Sequence, residues 1–128
     1  MGHRSHCRTM ERAMYSETLL EHFRKPRNGG ELPAPSCRVE VSNPACGDVL
    51  ILWVRFEGDR ASAVRYQARG CTALVAAGSA LTVLLEGMTR QEMAAVGAGE
   101  IEAALGGLPA ESMHAAALCA AAVRALLR

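Results

Sequence analysis

The hydrophobic pattern of this chain changes period at Gly70, and no other feature constrains the fold as strongly. Upstream lie three strand-like runs. In "CRVEV", Cys37, Val39 and Val41 face one way while Arg38 and Glu40 face the other. "DVLILWVRF", beginning at Asp48, is a longer apolar strand, and "EGDR" after it is a polar hairpin turn. "ASAVRYQAR" alternates again, with Val64, Tyr66 and Ala68 opposite Arg65, Gln67 and Arg69. Three such runs joined by short turns predict an antiparallel meander. Downstream, "CTALVAAGSALTVLLEG" is apolar on nearly all sides, which marks a central buried helix closed by Gly87.

Shorter elements flank these. Ser16 suits the N-cap of "ETLLEHFRK", with Glu17 in the first turn and Arg24 and Lys25 in the last. Pro26 stops that helix, and "PRNGGELPAPS" reads as a linker. The basic "RKPRN" stretch is most simply a solvated helix end. Thr89 and Glu92 stand at capping-box spacing for "RQEMAAV". "GEIEAAL" forms a further short helix ended by Gly106 and Gly107, and Pro109 suits the first turn of the last one. The fold class is α+β: a three-stranded antiparallel sheet with several helices packed on one face. One strand departs from the scheme. Leu50, Leu52, Val54 and Phe56 can face the helices, which leaves Val49, Ile51 and Trp53 on a face that is polar in the flanking strands. Either the N-terminal helix or leader covers this stripe, or it is a contact surface, such as a homodimer interface anchored on Trp53.

Composition narrows the functional classes. The 128 residues carry 14 Lys and Arg against 13 Asp and Glu, so no electrostatic footprint for nucleic acid or an anionic membrane is expected. No apolar run is long enough to span a membrane. "MGHRSHCRTMERAM" lacks the apolar middle of a secretion signal, and residues 1–14 read as a leader before a domain at 15–128. A cytoplasmic protein is expected. Cysteines stand at 7, 37, 46, 71 and 119, an odd number with no local Cys-x-x-Cys pair. Neither a disulfide framework nor a zinc ribbon has that pattern.

Two loops can carry chemistry. In "NPACGD", Cys46 and Asp48 flank Gly47, and a sharp bend there lets a thiolate and a carboxylate converge on one cation. In "RGCTA", Cys71 begins the central helix, whose unpaired N–H groups and dipole favour a thiolate. The meander returns the third strand beside the second, so the loops end up adjacent. A buried structural cysteine at either position is the plainer alternative.

At this point the chain resembles the IscU/NifU-type iron–sulfur cluster assembly scaffolds. "YSETLLEHFRKPRNGG" looks like their opening helix and linker, "NPACGD" like their first ligand loop, and "GCTALVAAGSALT" like the second ligand loop and the small-residue helix after it. Order and spacing agree from about Tyr15 onward. The resemblance implies a non-enzymatic scaffold that builds a transient [2Fe–2S] cluster from iron and cysteine-desulfurase sulfur, then passes it to acceptor proteins. It also implies a ligand set of Cys46, Asp48, Cys71 and His114.

Two departures stand out. Ala115 follows His114 where the family carries its third cysteine. "LPAESMH" keeps only Leu108 and Pro109 of the proline-rich chaperone-recognition segment, which counts against a dedicated chaperone. Cys119, one helical turn beyond Ala115, is a candidate replacement ligand, although a cysteine on the apolar face of an alanine-rich helix is more often a small core residue. Two sulfurs, one oxygen and one nitrogen also suit tetrahedral zinc. Two alternatives therefore accompany the scaffold: a persulfide acceptor for a desulfurase, and a zinc-binding interaction module.

Overall fold

The structure, a computed structural model, describes residues 15–128. The expected leader, with His3, His6 and Cys7, lies outside them. Ser16 caps α1 (Glu17–Arg24), its hydroxyl accepting from the Leu19 amide at 2.9 Å. The meander follows as β1 (Cys37–Asn43), β2 (Asp48–Glu57) and β3 (Arg60–Arg69), in the spatial order β1-β2-β3 and antiparallel throughout. Then come α2 (Thr72–Leu85), α3 (Arg90–Met93), α4 (Ala98–Ala104), a 3₁₀ turn (Ala110–Ser112) and α5 (Met113–Leu126). The expected α+β architecture, with its helices against one face of the sheet, is the observed one.

Leu50, Leu52 and Val54 point from β2 into the helices with no exposure, and Val64 and Tyr66 join them from β3. The all-round apolar character of α2 reflects burial on nearly every side, though Val83 remains half exposed. Its closest approach to the sheet is at Gly78, where a β-carbon would collide with the Tyr66 ring. The Tyr66 hydroxyl donates to the Val75 carbonyl at 2.8 Å, fixing helix to strand one turn away. Thr89 and Glu92 form the expected capping box, with bonds of 3.1 and 2.9 Å.

The last helix begins later than expected. Pro109 is extended (φ −61°, ψ 152°) and leads into the 3₁₀ turn, and α5 starts only at Met113. A fixed proline φ suits either helix type, so the residue marks a helical start without specifying which.

Among the described residues the linker, and not α1, is what the structure brings to the Trp53 end of the outer sheet face; the leader lies outside them. Asn28–Gly30 bonds to both main-chain groups of Tyr66, at 3.0 and 2.9 Å, on the β3 side of the sheet. The chain then crosses to β1, and Arg55, which shares the Trp53 face, donates to the Pro33 and Pro35 carbonyls at 2.9 and 3.1 Å. Trp53 is only 6 % exposed, with the Arg38 guanidinium 5.7 Å from its ring centre. The anchor expected for a homodimer is therefore already covered, while Val49 and Ile51 stay partly open.

The linker is held by a buried polar network. Ser79 Oγ accepts from the Arg27 amide at 2.8 Å and lies 2.7 Å from His22 Nδ1, while Asn28 Nδ2 donates to Thr82 Oγ1 at 3.1 Å. Arg27 also bonds Glu21 and His22, so the basic "RKPRN" stretch is partly structural. Burial, and secondly the Arg27 charge, lower the His22 pKa below its ordinary 6.5, while Glu21 opposes them. A histidine with a depressed folded pKa contributes stability above the unfolded value and loses it as pH falls through the folded one. The urea midpoint should therefore fall as pH drops below about 6.5, and His22→Asn should remove much of that acid limb. An unchanged limb would mean that other groups govern acid unfolding. Gly78→Ala should cost about 1–3 kcal/mol by overpacking against Tyr66; a wild-type midpoint would show that α2 is not seated so closely.

Candidate metal centre

Three donor atoms meet where β1 turns into β2. The Cys46 and Gly47 amides both donate to the Asn43 carbonyl, at 3.2 and 2.8 Å, and Asn43 Oδ1 accepts from the Ala45 amide at 3.1 Å. Gly47 takes φ +74°, a left-handed conformation open to glycine, and the strand restarts at Asp48 paired with Asn43. This reversal leaves Cys46 exposed at the tip and Asp48 buried behind it, 3 % exposed.

The β2–β3 register then sets the second wall. Val49 pairs with Arg69, so Gly70 falls beside Asp48, and a β-carbon there would collide with Asp48 Oδ1. Gly70 also sits at φ +155°. The missing side chain makes room for the carboxylate, a requirement that Gly70 in "RGC" signals only faintly in sequence. Cys71 follows as the N-cap residue of α2, its carbonyl accepting from the Leu74 amide at 3.1 Å.

His114, on the first turn of α5, supplies the third wall. Its Nδ1 lies 3.1 Å from the Glu111 carbonyl, which can only accept, so Nδ1 carries the proton. In the neutral ring Nε2 then presents a lone pair, 3.5 Å from Cys71 Sγ and 3.4 Å from Asp48 Oδ2. The Asp48–His114 contact would be an ion pair only with a second proton on the ring. In the tautomer that Glu111 selects, Asp48 Oδ2 is a buried carboxylate oxygen with no hydrogen-bond donor. Such a group is costly unless a cation meets it.

Cys46, Asp48 and His114 offer donor atoms that all lie within 4.8 Å of one another. Cys71 is tied to that group through His114 Nε2. Sulfur, oxygen and nitrogen donors at this separation can close on one cation, given metal bonds of about 2.0–2.3 Å. The donor set therefore fits zinc or iron, and its exposed side is formed by Cys46 and by His114, whose side chain is 36 % exposed.

Two other positions lie elsewhere. Cys119 is fully buried in the core, where desolvation pushes its thiol up to about 12. The structure does not bring it to the donors: one helical turn from Ala115 keeps it on the inward side, against the sheet. Ala115 is buried without exposure and offers no donor atom. Cys37, exposed, pairs with Val54 at the opposite end of β1 from Asn43. At pH 8 iodoacetamide should label Cys46 and Cys37 rapidly and leave Cys119 unlabelled until the protein unfolds, and added Zn²⁺ should protect Cys46 but not Cys37. Peptide mapping reads both outcomes; early labelling of Cys119 would contradict its placement.

The sequence model of the NifU-like N-terminal domain matches residues 14–128. The chain is 34% identical over 111 residues to the iron–sulfur cluster assembly scaffold protein IscU 1 of Archaeoglobus fulgidus, covering 87% of this chain and 72% of that protein. It is 45% identical over 106 residues to the bifunctional protein NifU/MnmA of Rubrobacter xylanophilus, covering 81% of this chain and 22% of the relative. In fold it is similar to the SUF-system protein FiSufU of Fervidobacterium islandicum AW-1, with TM-score 0.72 at 20% identity, covering 91% of this chain and 98% of that one.

Proposed function

The chain belongs to the NifU-like N-terminal domain family, and we propose that it is an iron–sulfur cluster assembly scaffold. The observation that carries this reading beyond kinship is Asp48 Oδ2, buried without a donor beside Cys46, Cys71 and His114. Iron and sulfide are its cargo, assembled as a transient [2Fe–2S] cluster and passed to acceptor proteins. Cys46 and Cys71 bind iron as thiolates, His114 through Nε2 and Asp48 through its carboxylate. A carboxylate holds iron less tightly than a thiolate does, which suits a cargo that must leave. Zinc fits the same donors when iron is absent.

Sulfur for this cargo comes from a cysteine desulfurase. The exposed Cys46 thiol supports a second reading, in which the chain accepts persulfide sulfur without retaining a cluster. No helix of the described residues is long and apolar enough to cross a membrane. We place the protein in the cytoplasm, where thiols stay reduced, and without a dedicated chaperone.

Anaerobic reconstitution with ferrous iron, a desulfurase, its cysteine substrate and a thiol reductant should give visible absorbance with iron and sulfide in matching amounts. Cys71→Ala should abolish that absorbance, and Ala115→Cys should raise the iron and sulfide bound. Labelled sulfur retained on Cys46 without iron would favour the acceptor reading. A spectrum unchanged by Cys71→Ala would overturn the proposed site.

A further inference from the structure

The linker's bonds to β3 stop one rung short of the strand's end. Tyr66 turns both its main-chain groups away from β2: its amide donates to the Asn28 carbonyl, and its carbonyl accepts from the Gly30 amide. These directions alternate along an antiparallel ladder. Ala68, paired with Leu50, therefore turns its own amide and carbonyl to the same open side. The linker does not follow. After Gly30 it crosses towards Arg55, and none of its bonds reaches Ala68. Beyond Arg69 the row itself ends, because Gly70 (φ +155°) turns the chain into α2. One rung is left, bounded on both sides.

A groove of about 380 Å³ lies along that rung. Gly29 lines it at the linker end, Val75 on the helix side, and the half-open Val49 and Ile51 on the outer face. Arg69 lines it too. Among the described residues no carboxylate borders the groove, and no ion pair engages Arg69. The linker also shows what fits such a rung. Asn28–Gly30 runs parallel to β3 and is held to Tyr66 by two main-chain bonds. A second three-residue segment bonded to Ala68 in the same way would aim its middle side chain to the helix side, towards Val75. Its two flanking side chains would lie on the outer face with Gln67 and Arg69.

The geometry points to a docking slot for a short extended segment of a partner protein, an apolar residue between two acidic ones. Its main chain pairs with Ala68, its middle side chain packs on Val75, and a carboxylate meets Arg69. The linker at Tyr66 and the turn at Gly70 limit the slot to one rung, so it takes up a short segment without extending the sheet. Arg69 stands two residues before Cys71, so a partner held here is also beside the candidate metal centre. The slot itself is independent of metal binding.

Amide NMR of the full chain, titrated with acetyl-Glu-Val-Glu-amide at millimolar concentration, tests this assignment. Two main-chain bonds and one exposed ion pair make for weak binding by the isolated segment. The Ala68 and Arg69 amides should shift and the Ala68 amide should exchange more slowly with solvent, while Val64, the next outward rung beyond Tyr66, stays unchanged. Acetyl-Lys-Val-Lys-amide should leave all of them in place. Arg69→Glu should weaken the glutamate peptide about 3–10-fold. Ala68→Pro removes the donor without breaking a bond to β2, so it should weaken binding as well and keep the parent's Trp53 fluorescence. Unmoved Ala68 and Arg69 amides, or equal shifts from the lysine peptide, would overturn the slot and leave the scaffold reading intact. Sedimentation should show no self-association through this edge. A parent dimer that Ala68→Pro abolishes would give the rung to a second copy and overturn its assignment to a partner.

Discussion

The register of the two ladders on β2 decides where every donor atom sits. The strand is paired with β1 from Asp48 to Val54 and with β3 from Val49 to Glu57. Because side chains alternate, a slip of one residue on either side would exchange Leu50, Leu52 and Val54 for Val49, Ile51 and Trp53 in the core. The hydrophobic penalty for that exchange locks the register. Once it is locked, Asn43 must oppose Asp48 and Arg69 must oppose Val49, so the Cys46 turn and Gly70–Cys71 share one end of the sheet. The meeting of these donor atoms is in this sense a by-product of core packing in the strands.

Packing also explains how the centre tolerates a buried carboxylate. Asp48 sits at a strand end, where the backbone is anchored by pairing and Gly70 leaves space beside it. In the neutral tautomer that the Glu111 carbonyl favours, its Oδ2 has no donor. A buried carboxylate oxygen of this kind is costly unless a cation meets it. A cation entering there relieves a destabilised group as well as forming bonds, and so stabilises the folded chain by mass action.

Much of this was legible in the residues, and the exceptions share a cause. The Ser16 and Thr89 caps depend on neighbours three residues away and could be read directly. The convergence of "NPACGD" and "RGCTA" followed from the meander. Pro109 was assigned to the final helix because proline suits the start of either helix type, and the 3₁₀ turn depends on how α4 ends. α1 was one expected cover for Trp53, yet among the described residues the segment brought to that face is a linker whose path is set by bonds to Tyr66, Ser79 and Thr82, far off in sequence. Cys119 shows the limit of periodicity. Spacing gives a direction around a helix, while depth below the surface depends on the partner against which the helix packs.

The bond between Asn28–Gly30 and Tyr66 has one more consequence. A three-stranded sheet exposes two rows of unpaired amides and carbonyls, and either can recruit a strand from another molecule. On β3 the linker occupies the middle of that row. On β1 the outward-facing Arg38 and Glu40 place an ion pair beside the open row, at 3.1 Å from each other. Both margins are guarded against edge-to-edge aggregation by different means, one by a covering segment and one by charge. The sheet is thus kept finite by a few residues that lie outside the candidate donor set.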